Sequence, residues 1–167
     1  MMIEMKVSGL SIDPFTNMPF MVLKDDAEKY RLPIWIGLFE ASAIATEMEK
    51  IKLSRPMTHD LICVILKNLQ ATLKNVEIYD LKDNTFFARL VVTANNQEIQ
   101  IDSRPSDAIA VALRLQAPIM VDETVIEKSK KVDLATQNLS DKDKVSKEKW
   151  KEILEGLAPE DFGKYKM

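Results

Sequence analysis

The chain reads as an α+β domain in which the order strand, strand, strand, helix occurs twice. Three observations carry this reading. Short runs of period-two apolar alternation recur, each closed by turn residues. The period changes to a helical one after the third run of each series. The two joins also match in letters, Glu40-Ala41-Ser42-Ala43-Ile44-Ala45 against Asp107-Ala108-Ile109-Ala110-Val111-Ala112. Two β-β-β-α repeats of this kind predict a mostly antiparallel sheet with helices packed on one face, plus a short C-terminal helix.

In the first repeat Met5, Val7, Leu10 and Ile12 mark a strand, and Asp13 to Pro19 is turn chemistry. Phe20 to Leu23 is a second strand, Lys24 to Lys29 a charged turn, and Tyr30 to Ile36 a third strand. Pro33 inside that third strand favours a sheet edge or a bulge. Gly37 ends it, and Ala41, Ile44, Ala45 and Met48 then fall on one helical stripe. Between the repeats, a helix runs from Thr58 toward Lys74 with Leu61, Ile62, Ile65, Leu66 and Leu69 as its apolar face. Thr58 is its expected N-cap, and Asp60 suits the helix dipole. The second repeat places strands at Val76 to Leu81, Phe86 to Thr93 and around Ile99 and Ile101, joined by turns at Lys82 to Thr85 and Asn95-Asn96. A helix follows from Asp107, with Pro105 at its start and Ser103 or Ser106 as cap. Pro118 to Val121 suits one more strand. The residues divide into a domain over 1–128 and, over 129–167, a polar linker with a C-terminal amphipathic helix. Ser140 to Lys144 is the expected flexible loop. Trp150, Ile153, Leu154 and Leu157 give the C-terminal helix an apolar face that needs a partner, either the domain or a second subunit.

Composition narrows the function classes. The chain has 167 residues, is 46% hydrophobic and 29% charged, and carries a net charge of −3, the profile of an ordinary globular protein. No apolar run approaches a membrane span, and the first residues lack the pattern of a signal peptide. No basic half or tail advertises tight duplex binding by counterion release, so nucleic acid is expected as a weakly held substrate at most. The single cysteine, Cys63, excludes an intramolecular disulfide and suits a cytoplasmic, reducing compartment. It reads as a core residue rather than a catalytic thiol. With four glycines in all, dinucleotide and P-loop patterns are absent.

The residues able to do chemistry are few. Asp102, Ser103, Arg104, Ser106 and Asp107 crowd a strand-to-helix junction where a plain cap needs one or two polar residues. Arg104 either pairs with Asp102 or Asp107, or grips a phosphate bidentately while a carboxylate holds an ion. His59 is the only histidine, which removes two-histidine schemes and leaves one natural proton shuttle. Glu40 and Glu47 lie seven residues apart and share a helix face, where Glu40 or Glu47 would reach over the strand ends.

Several runs together resemble the bifunctional nuclease family: Leu32-Pro33-Ile34-Trp35-Ile36-Gly37, Glu40-Ala41, Arg55-Pro56-Met57-Thr58-His59-Asp60-Leu61, Leu81-Lys82-Asp83-Asn84-Thr85-Phe86, and Ile101 to Ala110. The likeness spans roughly residues 3 to 125, and Leu157 to Phe162 resembles the tail of some bacterial members. It implies nuclease activity on DNA and RNA but brings no agreed catalytic set, so the site is argued from the residues. The expectation is metal-assisted phosphodiester hydrolysis. Glu47, Asp102 and Asp107, joined by Asp60, would hold one or two Mg²⁺ or Mn²⁺ ions, with Arg104 clamping the phosphate and His59 moving a proton, so that His59, Asp60, Arg104 and Asp107 form the expected catalytic set. The alternative is a non-catalytic, oligomeric binding module. Asp102, Arg104 and Asp107 would then form a buried ionic network whose rupture costs about 3–5 kcal/mol. A phosphate or nucleotide sensor at the start of the third helix is a further reading. A homo-oligomer is expected in either of the first two cases, and no membrane partner.

Overall fold

A computed structural model describes residues 1–133 and 147–156. Strands β1 (Met2–Ile12), β2 (Pro19–Lys24) and β3 (Arg31–Trp35) form an antiparallel meander that leads into helix α1 (Leu38–Met48). After helix α2 (Thr58–Asn68), strands β4 (Thr72–Lys82), β5 (Thr85–Ala94) and β6 (Gln97–Ser103) repeat the meander and lead into helix α3 (Pro105–Leu115). Strand β7 (Ile119–Asp122) lies between the two meanders, antiparallel to β1 and parallel to β4. The sheet order is therefore β3-β2-β1-β7-β4-β5-β6. The expected α+β class, its duplicated order and its mostly antiparallel pairing are all present.

Local chemistry explains the boundaries. Asp83 and Asn84 have φ of 48° and 58°, and Asn95 and Asn96 have 51° and 60°. Both pairs make two-residue hairpin turns with two positive φ values, the geometry that matches strand twist and that Asn and Asp tolerate. Expected and observed limits differ most in two places. The middle helix stops at Asn68 rather than running toward Lys74, because Gln70 takes a positive φ of 55° and β4 begins at Thr72. Helix α4 (Glu123–Asp133) has no counterpart in the sequence reading, and the boundary expected at 128/129 falls inside it. Its apolar content is short, but Val125, Ile126 and Ser129 are buried and explain it.

Helix α3 packs over β4 and β5, and α1 and α2 pack against α3. Ala41 and Ala45 on α1 and Ala108 and Ala112 on α3 are fully buried, and such small side chains allow two helix axes to approach closely. Below them Met5, Val76, Ile78, Leu90, Val92 and Ile109 belong to one continuous core. Helix α4 packs on β4 and β7, and helix α5 (Lys147–Gly156) meets α1. Trp150 of α5 is buried in that same core with Ile153 against it, so the domain itself partners the C-terminal helix. Ser140 to Lys144 and the Leu157 to Phe162 run lie outside the described residues. Cys63 is partly buried against the core, and burial pushes its thiol above the ordinary range, as expected of a structural cysteine.

Candidate functional site

The starts of α1, α2 and α3 converge. Arg104 is the N-cap of α3 in extended backbone, and Pro105 follows at the first helical position. No side chain caps α3, contrary to the expected role of Ser103 or Ser106: Ser103 Oγ donates to the Arg104 carbonyl at 3.0 Å, and Ser106 is buried. Pro105 has already removed one of the unpaired N–H groups. Asp107, in the first turn, is turned to other partners. Its Oδ2 accepts from Arg104 Nε at 2.7 Å, and its Oδ1 lies 2.8 Å from His59 Nε2. Arg104 Nη1 donates to Glu40 Oε1 at 2.7 Å. Four side chains from three helices thus form one chain of contacts, Glu40–Arg104–Asp107–His59.

The protonation pattern follows from the partners. Burial raises the Asp107 pKa, but the hydrogen bonds from Arg104 and His59 outweigh it and hold the carboxyl below the ordinary range. Asp107 is ionised at neutral pH and only accepts, so Nε2 of His59 carries the proton in this contact. A neutral imidazole then keeps its lone pair on Nδ1. A carboxylate that fixes a histidine tautomer is the arrangement by which an imidazole is readied as a base. Its side-chain exposure is 12%, while that of Arg104 is 65%. Arg104 therefore offers its remaining N–H donors to a ligand arriving from solvent.

Gly37 makes room for this chain. It has an ordinary φ of −73°, so its role is spatial. A Cβ there would collide with the Glu40 carboxylate. Gly37→Ala is expected to push Glu40 off Arg104 while leaving the fold intact, lowering stability by less than about 1 kcal/mol because the pair is open to water. Thermal unfolding of that variant beside Glu40→Gln checks this, since equal small shifts are expected.

The other expected site residues fall elsewhere. Asp60 accepts from the Met57 N–H at 2.9 Å and from Arg114 Nε at 2.6 Å. It therefore caps α2 from inside, and Thr58 is the first helical residue rather than the N-cap. Arg114 also donates to the carbonyls of Ala110 and Ala43, which ties α2, α3 and α1 together. Glu47 pairs with Lys50 and, with Asp60, Arg55 and Arg114, lines an open cleft of about 310 Å³. Asp102 stands opposite Arg89 on the sheet face away from the core, since the core face of β6 belongs to Ile99 and Ile101. Glu47, Asp102 and Asp107 thus occupy three separate places. Among the described residues, no group of three or more His, Cys, Asp or Glu side chains is placed to hold a metal ion. Where carboxylates do approach, at Glu40 and Asp107, the Arg104 guanidinium fills the gap a cation would need. The donors as arranged do not fit a divalent ion.

Glu40 and Arg114 carry more of this geometry than the sequence suggested. The signal for Arg114 was its spacing: it lies seven residues, two helical turns, beyond Asp107 and so shares its face of α3.

Two carboxyls set an acid limit on stability. Burial raises the Asp60 pKa, but the Met57 N–H and Arg114 outweigh it, so Asp60, like Asp107, is held below its ordinary value. A depressed folded-state pKa gives stability that is complete above the unfolded value, about 3.9, and is lost as pH falls through the folded one. Melting temperatures measured from pH 7 downward are expected to drop below about pH 4, and less steeply for Asp107→Asn.

Comparison with known proteins bears on what this cluster serves. A family model described as the bifunctional nuclease domain matches residues 21–133. An uncharacterized protein of Mycobacterium tuberculosis (strain H37Rv) is 38% identical over 165 residues, covering 95% of this chain and 97% of that protein. Bifunctional nuclease 1 of Arabidopsis thaliana is 27% identical over 119 residues, 69% of this chain and 37% of the plant protein. Bifunctional nuclease 1 of Oryza sativa subsp. japonica is 26% identical over 109 residues, 63% of this chain and 33% of its own length.

Proposed function

The chain belongs to the bifunctional nuclease domain family, and from that premise we propose that it hydrolyses phosphodiester bonds of DNA and RNA at the Glu40–Arg104–Asp107–His59 cluster. One observation carries the reading. The only histidine is hydrogen-bonded to an ionised carboxylate whose other oxygen holds an exposed arginine. Arg104 orients a phosphate with the donors it does not spend on Glu40 and Asp107. His59 Nδ1 takes a proton from water as the new O–P bond forms and the bond to the leaving oxygen breaks; the imidazolium then returns that proton to the leaving oxygen. Asp107 steadies the imidazolium meanwhile. With two carboxylates and one guanidinium the cluster stays net negative, which matches a substrate weakly held and quickly released.

The expected Mg²⁺ or Mn²⁺ enters as a question for experiment, and no step is routed through it. Incubation of the protein with supercoiled plasmid and with single-stranded RNA, with and without chelator, tests both points. Nicking of both substrates by the parent protein is expected; none by the parent under any metal condition overturns the proposal. Loss on chelation would require Glu47 or Asp102 to be drawn toward Asp107. We place this activity in the cytoplasm, in keeping with the lone free cysteine. Among the described residues no helix is long and apolar enough to cross a membrane.

The binding-module reading has one observation in its favour: Arg104 is already paired with two carboxylates, Glu40 and Asp107. An arginine 65% exposed stabilises little through such pairs, however, so stability alone does not account for its position.

A further inference from the structure

Among the apolar side chains left exposed on the described residues, two groups lie on the same half of the domain. Helix α2 is amphipathic yet has no buried residue. Ile62, Cys63 and Leu66 lean on the core, while Leu61, Ile65 and the C-cap Leu69, spaced by four, stay about half exposed or more. Strand β6 forms one edge of the sheet, and its Ile99 and Ile101 are 45% and 44% exposed on the core face. The two surfaces approach each other where α2 ends: β4 starts at Thr72, and Leu73 shares a row with Val92 and Ile99.

The two sheet edges are also built differently. Edge strand β3 carries Arg31 and Pro33, and a proline closes an edge to further pairing. Edge strand β6, Gln-Glu-Ile-Gln-Ile-Asp-Ser, has no proline, lysine or arginine and keeps an unbroken register with β5. An edge strand with an unbroken register and exposed isoleucines is a template for strand addition.

We propose that β6 is a dimer seam. It pairs antiparallel with β6 of a second copy about a two-fold axis, joins two seven-stranded sheets into one, and brings the α2 stripes of both copies over the joint. Charge argues against other occupants. Strand β6 carries neither lysine nor arginine, so this edge offers a phosphate backbone no cation of its own. Lys67 is the one lysine or arginine of α2, whereas helices that lie in a membrane surface are rich in both. A two-fold seam puts Ile99 and Ile101 of each copy on the same face, so apolar meets apolar without a second, complementary surface. A standard interface takes about 800 Å² from each partner, so the seam needs the α2 stripe as well as the edge strand. Because α2 carries His59, the seam also covers the outer side of the helix that positions it; that consequence rests on the function proposed above, and the dimer itself does not.

Sedimentation velocity of the full chain at micromolar concentration tests the seam. The parent and Ile101→Val are expected at twice the 19.0 kDa chain mass, and Ile99→Lys/Ile101→Lys at 19.0 kDa with unchanged circular dichroism. Lysine fits at both positions because each is already half exposed in the single chain. Leu61→Glu/Ile65→Glu should weaken dimerisation at least tenfold. A monomeric parent, a stoichiometry other than two, or a dimeric lysine double variant overturns the proposal. Absence of cleavage by the parent leaves these masses unchanged, so failure of the nuclease reading and failure of the seam are separable.

Discussion

Removing the imidazole in His59→Ala is expected to lower phosphodiester cleavage roughly 10²- to 10⁴-fold, the usual contribution of a positioned general base. Asp107→Asn should be about as severe. An amide in place of the carboxylate no longer requires Nε2 to be the protonated nitrogen and leaves the imidazolium without a counter-charge. Both variants should keep the fold, because a neighbouring contact at 2.8 Å is lost but no core residue is touched. Arg104→Ala separates substrate grip from proton transfer. It should raise KM more than it lowers kcat, and change stability by less than about 1 kcal/mol. Initial rates on plasmid and RNA beside melting curves read these effects together. Parent-level cleavage by either His59→Ala or Asp107→Asn removes the dyad from the chemistry. A large melting loss for Arg104→Ala with cleavage intact would instead support the binding-module reading.

The second large effect concerns stability and belongs to Arg114. Its side chain is only 7% exposed, and its three guanidinium nitrogens reach Asp60, Ala110 and Ala43, residues on α2, α3 and α1. Arg114→Ala leaves the Asp60 charge and two backbone carbonyls without this partner, and is expected to destabilise by about 3–5 kcal/mol. For a domain of this size the melting temperature should fall on the order of 10 °C. Arg114→Lys should recover only part of this, since one ammonium on a flexible stem does not reproduce the planar fork. Urea unfolding of the three proteins measures it. A shift under about 1 kcal/mol for Arg114→Ala would mean that the clip contributes no more than an exposed pair. The sequence reading assigned this magnitude to Arg104; exposure reverses the two arginines.

Much of the fold was legible because two periodicities and strict turn chemistry agree. Asp83-Asn84 and Asn95-Asn96 announce tight hairpins, and the change of period at Phe39 and again at Asp107 announces the helices. Helix α4 escaped notice because its sequence, Glu-Thr-Val-Ile-Glu-Lys-Ser-Lys-Lys-Val-Asp, is mostly polar. Only the packing of Val125 and Ile126 in the core singles it out. The insertion of β7 between the meanders was also invisible, since three apolar residues and an aspartate do not name their neighbours. At the site, local sequence identified the crowded junction around Arg104 and the lone histidine. It could not say which carboxylates meet them. Glu40 and Glu47 share a helix face, yet Glu40 reaches Arg104 while Glu47 lies with Lys50 beside the cleft. Strand parity decided the fate of Asp102. Once Ile99 and Ile101 take the core side of β6, Asp102 must face outward.

The position of β7 has a consequence for biogenesis. Its four residues join the inner edges of both meanders, pairing Met2 with Asp122 and Val76 with Ile119. A ribosome delivers β1 more than a hundred residues before its neighbour emerges. Until Ile119 leaves the exit tunnel, β1 and β4 each present a row of unanswered amides, the state in which nascent chains are most prone to pair with one another. Transcripts cut short just upstream of codon 119 should therefore yield insoluble fragments, whereas those reaching past α4 acquire the strand that seals the two halves.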